Sequence, residues 1–213
     1  MAKLLHIDAS PRGTRSHSRT LSRAFVDAWL ESHPGDDVAY RDVGRHPPPP
    51  VDETWIAAAF SAEDARTPRM RETLKLSDEL IAELLVADIL VFGMPMYNFG
   101  VPSSFKAYID QIVRIGRTFD FDPDDETQPY RPRVNGKRIF IVVATGDSGY
   151  ESNGRLEHLN HLAPYLRTVF GFIGITQLTF VHVGNDEFGG ERLAGALRRA
   201  RTEILELVTS ASS

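Results

Sequence analysis

Residues 89–116 read ILVFGMPMYNFGVPSSFKAYIDQIVRIG. Ile89–Phe92 is a short, wholly apolar run, the kind that fills a parallel strand buried on both faces. Pro102 or Ser103 opens a helix, because Phe105, Tyr108, Ile109, Ile112 and Val113 recur at i, i+3, i+4, i+7 and i+8 before Gly116 stops it. Between strand and helix lies the turn Met94–Gly100, MPMYNFG. It is too rich in large soft and aromatic groups for an ordinary solvated loop. Met and Phe most often fill a core, but Asn98 and Gly100 are poor filling for a dry corner. The composition therefore favours contact with a flat, largely apolar ligand.

The same strand-then-helix grammar extends outward in both directions. Lys3–Ile7 is a buried strand, followed after a polar loop by a helix with Leu21, Ala24, Phe25, Ala28 and Trp29 on one face. Pro34-Gly35 ends that helix, and Val38–Tyr40 is a second strand. Thr67-Pro68 starts another helix, with proline at its first position, running through Leu74, Leu80, Ile81, Leu84 and Leu85. Arg138–Ala144 and Gln177–Val183 are further strands. Helices marked by Leu159, Leu162, Leu166, Val169 and Phe170, and by Leu193, Leu197, Ala200, Ile204, Leu207 and Val208, follow them. Five strands alternating with about five helices predict an α/β domain built on a doubly wound parallel sheet. The chain reads as one domain over 1–213 with two surface excursions. At about 44–66, the extended His46–Pro50 tract precedes a helical turn at Trp55–Phe60; at 117–133, a hairpin is expected.

Composition excludes several classes. A net charge of −5 speaks against a protein that grips a nucleic-acid backbone. The absence of cysteine removes disulfides, thiolate nucleophiles and Cys-ligated metals. No apolar run approaches a membrane span, and the N-terminus reads as a first strand, so a soluble, cytoplasmic protein is expected, with no nucleic acid and no membrane as partners. No GxSxG elbow, EF-hand loop or metal-ligand spacing is present; His158 and His161 lack a third ligand.

Three loops of unusual composition leave the carboxyl ends of strands, where open α/β sheets bind ligands. The first, 8–18, offers the hydroxyls of Ser10, Thr14, Ser16 and Ser18 among Arg12, Arg15 and Arg19, at the start of a helix. A phosphate suits such a place, and a plain helix cap suits it equally. The loop matches neither GxGxxG nor GxxxxGK[ST]. His17 has no partner at ligand spacing and reads as a loop residue able to touch the ligand. The second loop is the opening turn. The third, Thr145-Gly146-Asp147-Ser148-Gly149-Tyr150, could hold a polar ring edge or simply make a tight turn. A phosphate grip, an apolar platform and a polar edge together have the reach of a flavin mononucleotide.

Taken together, Ser10, Ser16-His17-Ser18, Pro95-Met96-Tyr97-Asn98-Phe99 and Gly171-Phe172-Ile173-Gly174-Ile175 resemble the FMN-dependent NADH-azoreductase family, part of the flavodoxin-like NAD(P)H:quinone oxidoreductases. The likeness extends over essentially the whole chain, including Thr67-Pro68, Leu76–Leu80 and Gly136-Lys137; the PMYNF run is its most specific piece. The resemblance implies a flavodoxin-like sheet of order 2-1-3-4-5 with helices on both faces, tightly but non-covalently held FMN, and a homodimer with flavin sites at the interface. It implies ping-pong two-electron (hydride) transfer from NADH through FMN to quinones or aromatic azo compounds. The flavin contacts it implies are Ser10, Ser16, His17, Ser18, Met96, Tyr97, Asn98, Phe99, Thr145, Gly146, Asp147 and Ser148.

The chain departs from that family's pattern twice. The third loop lacks an arginine common in relatives and carries Asp147, whose charge would oppose a reduced flavin unless it points away. His17 stands where a relative has glutamine. Phe119 and Phe121 are candidates for walls of the acceptor slot, or for a satellite hydrophobic cluster. No protein nucleophile or acid–base residue is required, so no catalytic side chain is assigned. Two rival readings share the fold: a non-enzymatic flavodoxin-like electron carrier, and an FAD-containing quinone reductase.

Overall fold

The computed structural model describes residues 1–211. Its centre is a parallel sheet of β1 (Lys3–Asp8), β2 (Asp37–Asp42), β3 (Ile89–Pro95), β6 (Arg138–Ala144) and β7 (Gln177–Val183), in the order β2-β1-β3-β6-β7. Every neighbouring pair is parallel. Two further strands, β4 (Phe119–Phe121) and β5 (Tyr130–Pro132), form a separate antiparallel hairpin. Counted within the main sheet alone, the order is 2-1-3-4-5, as the resemblance implied. All seven residues of β3 are buried, which explains why its sequence shows no polar alternation.

Among the described residues there are six α-helices: α1 (His17–Ser32), α2 (Glu53–Phe60), α3 (Pro68–Val86), α4 (Ser103–Ile112), α5 (Leu162–Ile173) and α6 (Gly190–Ala211), of which α2 packs on α3 and the others flank the sheet. Successive residues of a strand point to opposite faces. Leu90, Phe92 and Met94 of β3 thus join Leu80, Leu84, Phe105, Leu166 and Phe170 from α3, α4 and α5. Ile89 and Val91 join Leu21, Phe25, Trp29, Ala200 and Ile204 from α1 and α6 on the other face.

The order in which strands are added reverses between β1 and β3: β2 lies to one side of β1, and β3, β6 and β7 lie to the other. The crevice beyond their carboxyl ends is therefore the topological switch point. Gly93 of β3 lies at that spot, where a Cβ would collide with the Asp8 carboxylate and the Ser22 hydroxyl. Only glycine lets α1 and the end of β1 close over β3 here.

The first excursion is more ordered than its composition predicts. Asp52 caps α2 by accepting the Trp55 N–H (2.8 Å), so the expected helical turn is a helix of eight residues. The proline tract has no donors of its own but is pinned from outside. Gln111 of α4 donates through Nε2 to the Pro49 carbonyl (3.1 Å) and accepts the Trp55 indole N–H (2.9 Å). In the second excursion Phe119 and Tyr130 of the hairpin meet Phe172 of α5, with Phe119–Phe172 centroids 4.9 Å apart, and Phe121 packs on Tyr130 with centroids 5.3 Å apart. Among the described residues no helix is long and apolar enough to cross a membrane.

Candidate functional site

The loops that follow β1, β3 and β6 converge on one cavity of about 170 Å³ at the switch point. It is lined by Ser10, Arg12, Ser16, His17 and Ser18 from the first loop, Pro95, Met96 and Tyr97 from the second, and Ala144, Thr145 and Gly146 from the third. Eight of the residues expected to touch a ligand are therefore brought together: Ser10, Ser16, His17, Ser18, Met96, Tyr97, Thr145 and Gly146.

In the first loop, capping and cavity lining coexist. Ser16 sits at the N-cap of α1 and accepts the Arg19 N–H (3.4 Å), while its Oγ lies 3.2 Å from Ser18 Oγ. Ser10 Oγ accepts the Arg12 N–H (3.3 Å). All three serines are buried, and because Ser10 Oγ and Ser16 Oγ already accept backbone N–H groups, their own O–H groups are left to donate. A cluster of buried hydroxyls at a helix N-terminus is an anion site by its donor chemistry.

The second loop closes as a two-residue hairpin turn. Tyr97 and Gly100 exchange N–H···O bonds at 3.0 Å each. The two central residues, Asn98 and Phe99, have positive φ of 46° and 68°, the pair of left-handed residues that a type I′ turn requires. Asparagine tolerates this, but phenylalanine there stores strain. The Phe99 carbonyl accepts the His161 N–H at the start of α5 (3.0 Å), which holds the turn in place. Both Asn98 and Phe99 are exposed and stand outside the cavity lining. Met96 and Tyr97 alone of this loop's larger side chains reach it.

In the third loop Thr145 Oγ1 donates to the Asp147 carbonyl (2.6 Å), shaping a tight turn. The Asp147 carboxylate turns away from the cavity. It accepts the Ser148 N–H (2.7 Å) and pairs with Arg155; those two bonds hold its pKa below the ordinary aspartate range. The charge that the third loop introduces is thus consumed outside the lining, and neither Asp147 nor Ser148 reaches the cavity. Phe119 and Phe121 do not reach it either; they belong to the hairpin cluster with Tyr130 and Phe172.

The loop between β7 and α6 supplies two lining residues that no sequence signal marked, Asp186 and Glu187. Backbone bonds from Asp186 N–H to the Thr145 carbonyl (3.3 Å) and Glu187 N–H to the Gly146 carbonyl (3.1 Å) bind this loop to the third wall. Asp186 meets two side chains of the first loop: Arg12 Nη1 at 2.7 Å and His17 Nε2 at 3.0 Å. His17 has a carboxylate partner after all, one supplied by the fold rather than by local spacing.

Behind the first loop lies a second, largely buried polar cluster. Asp8 accepts the Ser22 hydroxyl (2.9 Å) and the Tyr40 hydroxyl (3.0 Å), with Arg19 Nη1 at 3.4 Å. Burial and the nearby Asp8 charge push the Tyr40 hydroxyl up to about 12. Arg19 also donates to Asp42 (Nη1, 2.8 Å) and, through Nε, to the Ser10 carbonyl (2.8 Å). Burial acts to raise the Asp42 carboxyl, but the Arg19 guanidinium and the Arg45 N–H together hold it below the usual range.

A larger cavity, about 680 Å³, lies at the β7 edge and contains Glu151, Glu157, Arg167, Phe180, His182 and Glu203. It has no cluster of buried hydroxyls and no apolar platform beside an anion grip. Donor chemistry, not size, selects the switch-point cavity. Its lining has the donor chemistry for a phosphomonoester joined to a flat ring: serine hydroxyls, Arg12 and His17, the apolar surface of Pro95, Met96 and Tyr97, and the polar Thr145.

The family model described as "Flavodoxin-like fold" matches residues 2–208. An FMN-dependent NADH:quinone oxidoreductase of Nostoc punctiforme is 49% identical over 208 residues, covering 98% of this chain and 98% of its own. FMN-dependent NAD(P)H:quinone oxidoreductase 1 of Pseudomonas aeruginosa is 46% identical over 212 residues, covering 99% and 100%. Among solved structures, an FMN-dependent NADH-azoreductase of Bacillus anthracis in complex with FMN superimposes with a TM-score of 0.86 at 21% identity, over 100% of both chains. That last likeness is one of fold.

Proposed function

We propose a function from the premise that this chain belongs to the flavodoxin-like fold family and, within it, with the FMN-dependent NADH:quinone oxidoreductases: it carries electrons from NADH to a quinone or an aromatic azo acceptor, using FMN. The observation that carries this reading is the single cavity in which buried serines, Arg12, His17, a soft aromatic platform and a polar edge meet at the switch point. The relatives' names support the cofactor and the reaction class.

When bound, FMN supplies the redox chemistry, a two-electron (hydride) exchange first with NADH and then with the acceptor. The chain's own residues do the rest. Ser10, Ser16 and Ser18 would hold the phosphate with hydroxyl donors, with the Arg12 guanidinium and the His17 ring beside them. Met96 and Tyr97 bear on the ring, and the Thr145–Gly146 backbone faces its edge. Asn98, Phe99, Asp147 and Ser148 act indirectly, by setting the turns that present those walls. Phe119 and Phe121, exposed in part beside Tyr130 and Phe172, offer aromatic surface to a flat acceptor. We read the working unit as a homodimer with the flavin sites at its interface, in the cytoplasm, acting on small molecules.

Steady-state kinetics test the reading. FMN-loaded protein oxidises NADH with a benzoquinone or naphthoquinone and gives parallel double-reciprocal lines as the second substrate is varied. Loaded protein with no turnover toward any quinone or azo compound overturns the enzyme reading in favour of an electron carrier.

A further inference from the structure

We infer that Arg19 is a positioning residue for the cofactor's phosphate, acting from behind the first loop by drawing the Ser10 carbonyl out of the anion site. The inference rests on the function proposed above and assigns a role to a residue that does not line the cavity.

An anion site needs N–H and O–H groups facing inward and carbonyl oxygens facing outward. Ser10 poses the difficulty. Ser10 lines the cavity, so its carbonyl lies within the same short turn. The next residue, Pro11, has no N–H to offer in exchange. Arg19 resolves this with two donors on one acceptor: Nε at 2.8 Å and Nη2 at 2.5 Å from the Ser10 oxygen. Charge-assisted bonds of this kind are about twice as strong as neutral ones.

Arg19 is itself over-determined. Its side chain is only 12% exposed. Asp42 takes Nη1 at 2.8 Å and also meets Nη2, and Tyr40 takes Nη1 at 2.9 Å. The backbone N–H of Arg19 meets Ser16 Oγ at 3.4 Å, so the residue also belongs to the cap. One side chain thus joins the end of β1, the end of β2, the phosphate loop and the start of α1.

The same guanidinium has an electrostatic task. Asp8 is buried directly beneath the loop. Unpaired, its carboxylate would repel a phosphate through low-dielectric surroundings. Arg19 Nη1, at 3.4 Å, neutralises it together with the hydroxyls of Ser22 and Tyr40. Loss of Arg19 would free a carbonyl to turn inward and uncover a buried negative charge, and both changes oppose a phosphate specifically.

That specificity gives the test. Flavin fluorescence quenching measures Kd for FMN and for riboflavin, which has the ring without the phosphate, on apoprotein of wild type, Arg19→Lys, Arg19→Gln and Asp42→Asn. Asp42 touches Arg19 and lies outside the cavity lining, so its variant perturbs the grip without entering the site. The expected result is a roughly tenfold or greater loss of FMN affinity in Arg19→Gln, equivalent to about 1.4 kcal/mol. Asp42→Asn shows a smaller loss in the same sense, Arg19→Lys a partial rescue, and riboflavin affinity stays within about threefold throughout. Folded variants that keep the wild-type preference for FMN over riboflavin, or that lose both ligands in parallel, overturn the inference. If wild type itself binds neither flavin, it is the proposed function that fails.

Discussion

The Asp186 carboxylate lies 3.0 Å from His17 Nε2 and, through its other oxygen, 2.7 Å from Arg12. A carboxylate from the β7–α6 loop therefore meets both Arg12 and His17 of the phosphate loop. Like charges at the rim of an anion site oppose the incoming ligand. Asp186→Asn is expected to tighten FMN binding several-fold in dilute buffer, with the gain fading at high ionic strength as screening grows. Titrations of apoprotein at two salt concentrations check this. Unchanged or weaker binding would mean that Asp186 instead orients Arg12 and His17 for the phosphate.

Gly44 follows β2, its N–H donating to the Asp8 carbonyl (2.9 Å), and a Cβ on it would run into the Ser10 carbonyl. Gly44→Ala must push the phosphate loop forward or break that bond. The expected cost is about 1–3 kcal/mol of stability, with weakened FMN affinity. Denaturant unfolding and flavin titration measure the two effects. Wild-type values in both would show that the loop yields freely.

Gln111 satisfies two groups at once, the Trp55 indole and the Pro49 carbonyl, and it is buried. Gln111→Leu keeps the volume and strands both partners. Leaving the buried Trp55 indole N–H unpaired costs about 1–3 kcal/mol, so the denaturation midpoint falls at unchanged slope. A shift too small to resolve would show that the proline tract does not depend on α4.

The Asp42 carboxyl has a folded-state pKa below its ordinary value of 3.8. Its stabilising effect is therefore fully present above that value and is lost as the pH falls through the folded-state value. Compared with Asp42→Asn, wild type is expected to be more stable at neutral pH by about 1–2 kcal/mol, and the gap closes below about pH 4. Unfolding curves collected across that range decide it. A gap that widens on acidification would contradict the assignment.

Much of this molecule was legible from its residues. Runs such as Ile89–Phe92 and Arg138–Ala144 read as buried strands because no polar residue interrupts them, and the helical stripes were as clear. The serines of the first loop and Met96-Tyr97 were found because hydroxyls at a helix start and soft aromatics in a turn are both unusual. Asp186 and Glu187 stayed hidden, since acids between Gly184-Asn185 and Gly189-Gly190 look like any solvated turn. Only the pairing of β6 with β7 brings them to the cavity. Asn98 and Phe99 were expected in the lining, but a type I′ turn points its central residues away from the strands it joins. Asp147 was the residue in doubt, and its partner Arg155 resolves its orientation. Arg19 looked like one of three arginines available to a phosphate; burial behind the loop separates it from Arg12.

The central claim is that the switch-point cavity holds FMN. The most direct measurement is to release the cofactor from purified protein by heat or acid and identify it by chromatography. A yellow protein that yields FMN, without FAD, is the predicted result. A colourless protein that takes up neither FMN nor FAD on reconstitution would contradict the account.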